Sequence, residues 1–219
     1  MSLAQQIGGG VGGRWFTGSM PGRGVEREVK AGLPVIRFAT VAALEKWLAA
    51  HSSDSGVWVK LAKNGSGNRS ISRAEALDTM ICFGWIDSQG ATYDEGWWLQ
   101  RFTPRRPGGR WSQINCAKVD ALVAEGRMRP EGQAEVDAAK ADGRWDAAYA
   151  GARTAIVPED FLAALDQSPS AAAVFATLSS VNRYAIIYRI GSVKRAETRA
   201  RKIGQFIAML EAGETIHPQ

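Results

Sequence analysis

The chain has 219 residues, of which 45% are hydrophobic and 22% are charged. This is the composition of an ordinary globular protein, and it excludes a chain that is disordered throughout. The net charge of +5 favours anionic over cationic partners. No stretch approaches the ~20 consecutive apolar residues that a membrane-spanning helix needs, so we expect no membrane insertion.

Residues 1–33 are predicted to form a flexible leader. Within it, residues 8–13 contain the pattern G-x-G-x-x-G of a dinucleotide-binding loop. That loop requires a strand before it and a helix after it, and neither is indicated, so a flexible glycine tract is the better interpretation. Residues 1–13 also lack the basic and apolar regions of a secretory signal, and we therefore expect a cytoplasmic protein.

Strand and helix signals are mixed in the next part of the chain. Strands are predicted from β-branched and aromatic content at residues 35–38, 57–63 and 97–103. Thr40 is predicted to cap a helix over Val41–Ala50, because its hydroxyl can accept a hydrogen bond from the first turn. Ser72 and Glu75 have the spacing of a capping box, which predicts the start of a second helix that ends at Gly84.

From Ser112 onward the signals are helical. The predicted helices run from Ser112 to Gly126, begin at Pro130, Pro158 and Ser168-Pro169, and cover residues 181–190 and 194–210. This order predicts an α+β fold with a small, mainly antiparallel sheet and helices in the N-terminal part, and an all-helical C-terminal part. The predicted divisions are the leader at 1–33, an α+β domain at 34–126 and a helical region at 127–219.

Cysteine and histidine are scarce, with Cys82, Cys116, His51 and His217 as the complete set. No zinc-binding or nucleophile motif is formed by them, so we expect neither a metal nor another cofactor. Cys82 lies in an apolar run and is interpreted as a buried thiol.

The segment from Arg101 to Asn115 is the strongest candidate for a binding site. It contains four arginines and a tryptophan, no acidic residue occurs between Trp97 and Trp111, and it ends at a predicted helix start that would itself favour anions. We predict that a small anionic ligand is bound by Asp87, Arg101, Thr103, Arg105, Arg106, Trp111, Ser112 and Asn115.

Three alternatives remain open at this point. In the first, the arginines are solvated or paired with the nearby acids Asp87, Asp94 and Glu95, and Asp87 is interpreted first as an ion-pair partner of Arg101 or Arg105. Asp87 would otherwise be a general base in an enzyme that acts on an anionic substrate. The last two predicted helices carry a basic run from Arg183 to Lys202, which predicts weak, non-specific binding of nucleic acid.

Several motifs occur in the same order as in a known family. They are Phe83–Asp87, Arg101–Pro107, Trp111–Asn115, Gly126–Pro130 and Lys194–Ile203. Over residues 35–218 the chain resembles the YdeI/OmpD-associated (bacteriocin-protection) family.

The resemblance implies a role in bacterial stress or antimicrobial resistance, and it supplies no catalytic residues. A protein of charge +5 should repel cationic peptides, so we expect an indirect role in the cytoplasm. The sequence leaves the reaction, the ligand and the oligomeric state open.

Overall fold

The computed structural model describes residues 15–16 and 28–218 of the chain. Six strands are present in this part: β1 (Trp15–Phe16), β2 (Val29–Lys30), β3 (Leu33–Ile36), β4 (Val57–Ala62), β5 (Trp85–Thr92) and β6 (Trp97–Pro104). Eight helices accompany them: α1 (Val41–Ala50), α2 (Arg73–Cys82), α3 (Gln113–Ala124), α4 (Pro130–Ala141), α5 (Glu159–Asp166), α6 (Pro169–Thr177), α7 (Ser180–Gly191) and α8 (Ala196–Glu211).

The strands form one sheet in the order β1-β2-β3-β4-β6-β5. β3 and β4 are parallel, because α1 connects them as a crossover, and the other neighbouring pairs are antiparallel. The predicted α+β class with a mainly antiparallel sheet is therefore confirmed, and the sheet is mixed rather than purely antiparallel.

Local sequence signals set the start of α1 and both ends of α2. The Thr40 hydroxyl accepts a hydrogen bond from the Ala43 N–H, and Ser72 and Glu75 form the complete capping box of α2. Gly84 follows α2 with a φ of 77°, a conformation that glycine adopts without steric cost. Along the chain these signals position β5 directly after α2.

The chain divides into two compact units. The first unit comprises residues 1–109 and 119–138, and the second comprises residues 110–118 and 139–219. The core of the first unit includes Leu44, Leu48, Val59, Met80 and Phe102, all fully buried. The core of the second unit is formed by α5 to α8 and includes Phe161, Phe175, Ile186, Ile190 and Leu210.

Several parts of the structure differ from the expectation. β1, β2 and the first residue of β3 lie within residues 1–33, which were predicted to form a flexible leader. β5 was not predicted, because only its first residues are apolar and the stretch from Ser88 to Thr92 has little strand propensity. Pairing with β6 supplies the stabilisation that the local sequence lacks. Pro158 is the N-cap of α5 rather than a first-turn residue.

Most of the predicted leader, including the glycine tract at 8–13, lies outside the described residues.

Candidate functional site

The eight residues predicted to bind an anion are divided between the two units. Five belong to the first unit: Asp87 on β5, Arg101 and Thr103 on β6, and Arg105 and Arg106 directly after β6. Three belong to the second unit: Trp111, Ser112 and Asn115, around the start of α3. We describe each group within its own unit.

The arginines of the first unit differ in exposure. Arg105 is only 8% exposed, and its backbone N–H donates to the Gly84 carbonyl at 2.9 Å. Arg106 is exposed, one residue further along. Arg101 lies opposite Trp58 in the sheet and its Nε is buried, whereas Thr103 lies opposite Ile86. Of these three arginines, Arg105 is buried, Arg101 is partly buried and Arg106 is exposed.

Asp87 is paired with a helix residue that the sequence did not suggest. Its Oδ2 accepts a hydrogen bond from Arg73 Nη2 at 2.6 Å, and Arg73 Nε donates to the buried Gln100 Oε1 at 3.3 Å. The interpretation that Asp87 pairs with Arg101 or Arg105 is therefore corrected. Arg73 instead connects the start of α2 with β5 and β6.

The three predicted site residues of the second unit hold the backbone at the start of α3. Ser112 Oγ accepts a hydrogen bond from the Asn115 N–H at 3.2 Å, which confirms Ser112 as the cap of that helix. Trp111 is 1% exposed, and its ring centroid is 5.0 Å from that of Trp145. The Trp111 carbonyl accepts from the Tyr149 N–H, and the Tyr149 carbonyl accepts from the Gln113 N–H, at 3.0 and 2.9 Å. These bonds fix Tyr149 beside the residue that precedes Trp111, which is Arg110.

A pocket of about 280 Å³ lies in the second unit next to Arg110. Its lining combines one cation, three tyrosines and small or aliphatic residues: Arg110, Ala147, Ala148, Tyr149, Ala150, Ala155, Ile156, Pro158, Tyr184, Ile187, Tyr188 and Gly191. The guanidinium carbon of Arg110 lies 5.0 Å from the ring centroid of Tyr149 and 4.8 Å from that of Tyr188. Both distances are within the range of cation–π attraction, so the two rings position the arginine.

The Tyr184 hydroxyl and the Arg110 guanidinium of this pocket differ in whether a described residue accepts a hydrogen bond from them. The Tyr184 hydroxyl donates to the Ala150 carbonyl at 3.0 Å, and burial, reinforced by Tyr149 and Tyr188, raises the pKa of Tyr184, so its phenol stays neutral. Within the part of the chain that the structure describes, no acceptor hydrogen-bonds to the Arg110 guanidinium and no carboxylate pairs with it. Its N–H groups are thus available to an anion, while its position is fixed by the rings.

The lining of this pocket offers few kinds of chemical group. Its described residues supply one guanidinium and three phenol hydroxyls, and they include no carboxylate, imidazole or thiol. No group of three or more His, Cys, Asp or Glu residues that would hold a metal ion occurs among the described residues.

Sequence reasoning found part of this pocket and missed its aromatic wall. Arg110 belongs to the arginine run of the predicted segment, but it was not among the eight predicted residues. Tyr184 and Tyr188 are four residues apart on a predicted helix and therefore share one face, which is a signal that the sequence contains. Nothing local indicates Tyr149, because its approach to Tyr188, with ring centroids 5.1 Å apart, depends on tertiary structure.

Two family models match separate parts of the chain. Residues 154–213 match the family described as "Bacteriocin-protection, YdeI or OmpD-Associated". This match covers only the C-terminal part of the chain. The Lys194–Ile203 motif and the α7 residues of the pocket lie within the matched residues.

The rest of the resemblance falls elsewhere. Residues 36–135 match a different model, described as "Domain of unknown function (DUF8412)", and the motifs between Phe83 and Pro130 lie within that match. Neither the search of curated proteins nor the search of solved structures found a match. Among the described residues, no helix is both long and apolar enough to cross a membrane.

Proposed function

We propose that this protein binds a small anionic ligand in the pocket beside Arg110, and that it does so as a cytoplasmic protein associated with stress or antimicrobial resistance. The observation that carries the proposal is the Arg110 guanidinium, which two tyrosine rings hold at the pocket without a hydrogen-bond acceptor among the described residues. The YdeI/OmpD-associated match of the C-terminal part supports the link to resistance.

Electrostatics and hydration both favour an anion at this position. A guanidinium donates hydrogen bonds in its own plane and matches carboxylate and phosphate groups geometrically. Arg110 is itself exposed to solvent, and apolar residues such as Ala150 and Ile187 limit the access of water on the side of the pocket, which strengthens a charged contact there. A cationic ligand would face repulsion from Arg110 and would compete with it for the same tyrosine rings.

The proposed anion-binding group still lies in the predicted Arg101–Asn115 segment, but it is a different residue from those predicted. Asp87 is occupied by Arg73, and Arg105 is buried in the first unit. Ser112 is occupied as a helix cap. Arg110 lines the pocket described above, and it therefore replaces those residues as the proposed anion-binding group.

The two other hypotheses receive less support. An enzyme would need an acid, base or nucleophile, and the described lining offers only tyrosine hydroxyls for these roles, of which that of Tyr184 already donates to the Ala150 carbonyl. Nucleic-acid binding through α7 and α8 would need free cations, but Arg199 makes a two-pronged ion pair with Asp160 and donates to the Ile190 carbonyl at 2.8 Å. The remaining basic side chains of these helices support at most weak, salt-sensitive contacts with phosphates.

A ligand that binds only the folded protein raises its melting temperature, and this provides the test. Thermal unfolding of the full chain should be measured at pH 7 with increasing acetate, benzoate and inorganic phosphate. We expect at least one of these anions to raise the melting temperature of the wild-type protein and of Arg106→Gln equally. Arg110→Gln should lose that increase.

Arg106→Gln is the matched control, because Arg106 is an exposed arginine of the same segment and does not line the pocket. Both substitutions remove one positive charge, so a general effect of net charge changes them alike. An anion-induced increase that Arg110→Gln retains in full, or no increase with any of the three anions, would show that the proposal is wrong.

A further inference from the structure

We propose that the ligand of the Arg110 pocket is a small aromatic carboxylate. This inference rests on the proposed function and narrows it from anions in general to one chemical class. Three properties of the pocket lead to it: its single cation, its flat aromatic and aliphatic walls, and its volume.

The charge of the pocket matches one anionic group. Arg110 is the one basic side chain of the described lining, and the only other polar side chains there are the hydroxyls of the three tyrosines. One guanidinium forms a two-pronged pair with one carboxylate, whereas di- and triphosphates are bound by several cations or by a metal ion. The pocket therefore suits a monoanion.

The walls of the pocket match a flat, apolar body. The rings of Tyr149, Tyr184 and Tyr188 lie at steep angles to one another: those of Tyr149 and Tyr188 at 82°, and those of Tyr184 and Tyr188 at 44°. Aromatic rings attract further rings in edge-to-face and offset arrangements, and the lining also includes four alanines, whose side chains are small. An aliphatic acid would gain the burial of its apolar surface but not the aromatic contribution.

The rim and the volume of the pocket point to a small ligand. Ligand-binding pockets have volumes from about 300 to 1,000 Å³, so this pocket of about 280 Å³ lies at the lower end. Ile156, at its rim, is 86% exposed, the most exposed large hydrophobic side chain among those described. A bound ring would remove part of this side chain from water, which is favourable.

The test compares five small probes by isothermal titration calorimetry with the full chain at pH 7. Benzoate carries both recognised groups, and cyclohexanecarboxylate replaces its flat ring with a puckered one. Benzamide keeps the ring without the charge, and acetate and inorganic phosphate carry charge without the ring. Transfer of magnetisation between benzoate protons and tyrosine ring protons, measured by NMR on the wild-type protein, locates the bound ligand without any substitution.

We expect benzoate to bind about tenfold or more tightly than benzamide, acetate or phosphate, because a hydrogen bond to a charged group contributes at least that factor. We expect it to bind several-fold more tightly than cyclohexanecarboxylate. Arg110→Gln should weaken benzoate binding about tenfold or more, and Arg106→Gln should leave it unchanged.

The outcomes separate this inference from the proposed function. Arg110-dependent binding of phosphate or acetate that equals or exceeds that of benzoate would overturn the aromatic carboxylate and leave the anion site standing. Equal binding of benzoate and cyclohexanecarboxylate would likewise overturn the requirement for a flat ring. Benzoate binding that is absent, that Arg110→Gln does not weaken, or that gives no transfer to tyrosine protons would also contradict the inference.

Discussion

Asp87 on β5 accepts a hydrogen bond from Arg73 Nη2, on the first residue of α2, at 2.6 Å. The same arginine donates to Gln100 on β6, so one side chain joins a helix start to two neighbouring strands. Asp87 was the one carboxylate that the sequence suggested as a general base. In the first unit Asp87 thus takes part in a contact between α2 and the sheet.

Arg105 and Arg106 are neighbours that should respond oppositely to substitution. Arg105 is only 8% exposed, so Arg105→Ala should remove the packing of a long buried side chain and lower the free energy of unfolding by about 2 kcal/mol or more. Arg106 is exposed, and Arg106→Ala should change it by less than about 0.5 kcal/mol. Urea titrations of both variants measure these values. Equal effects of the two substitutions would contradict the difference in burial.

Gly132 in α4 is predicted to be intolerant of any side chain. A Cβ atom at this position would lie 2.2 Å from the Cys82 carbonyl oxygen at the end of α2 and 2.7 Å from that of Ile81. Both obstacles are backbone atoms and cannot rotate away, so Gly132→Ala should lower the free energy of unfolding by about 1–3 kcal/mol, as overpacking does. Urea titration of the variant against the wild-type protein measures the loss.

Gly204 in α8 provides the matched control for that substitution. It is also a glycine inside a helix, and a Cβ atom there would meet nothing within 4 Å. Gly204→Ala should therefore raise the free energy of unfolding by about 0.5–1 kcal/mol through helix propensity alone. If Gly132→Ala were also stabilising, the close approach of α4 to the end of α2 would be wrong.

The sequence predicts those elements of the fold whose signals depend on neighbouring residues, and it misses those that depend on tertiary contacts. Thr40, the Ser72–Glu75 capping box and Ser168-Pro169 start helices where expected, because a cap depends on hydrogen bonds within one turn. β5 was missed because its polar half is held by pairing with β6, which is not a local property. The parallel pairing of β3 with β4 is likewise a product of chain topology rather than of composition.

The candidate site was only partly predictable for the same reason. An excess of arginine between Arg101 and Arg110 is visible in the sequence, but burial separates Arg105 from Arg110, and burial depends on tertiary structure. Tyr184 and Tyr188 share a helix face that a sequence can reveal. Tyr188 contacts Arg110 and Tyr149, which are far from it in the chain. These contacts form only in the folded second unit, so the sequence does not reveal them.

Asn182 is predicted to be essential for holding the C-terminal residues of the second unit. This side chain is fully buried; its Nδ2 donates to the His217 carbonyl at 3.0 Å, and its Oδ1 accepts from the His217 N–H at 2.8 Å. Asn182→Ala should lower the free energy of unfolding by about 1–3 kcal/mol, because it leaves the His217 N–H without its partner and removes one of the two donors to the His217 carbonyl. Thr215→Ala removes an exposed hydroxyl that also donates to the His217 carbonyl and should cost much less. Urea titrations decide this, and equal losses would contradict it.

The ion pair between Asp160 on α5 and Arg199 on α8 predicts how stability depends on pH. Arg199 Nε donates to Asp160 Oδ2 at 2.5 Å and Nη2 donates to Oδ1 at 2.9 Å. The hydrogen bonds from Arg199 hold the pKa of Asp160 below its ordinary value of 3.8, against a smaller opposing effect of burial. A carboxyl group whose pKa is lowered by folding adds stability above its unfolded pKa, and this stability disappears as the pH falls through its folded pKa.

Asp160→Asn should therefore destabilise the protein at pH 7, and the difference from the wild-type protein should vanish as the pH falls below 3.8. The Asp160 side chain is 45% exposed, so water screens the pair and the loss at pH 7 should be at most about 1 kcal/mol. Urea titrations at several pH values between 7 and 2 measure this difference. Glu159→Gln is the control, because Glu159 occupies the same first helical turn and experiences the same helix dipole. Asp160→Asn should cost more than this control at pH 7 and lose its excess in acid. An excess that stays constant down to pH 2 would show that the Asp160–Arg199 pair does not stabilise the fold.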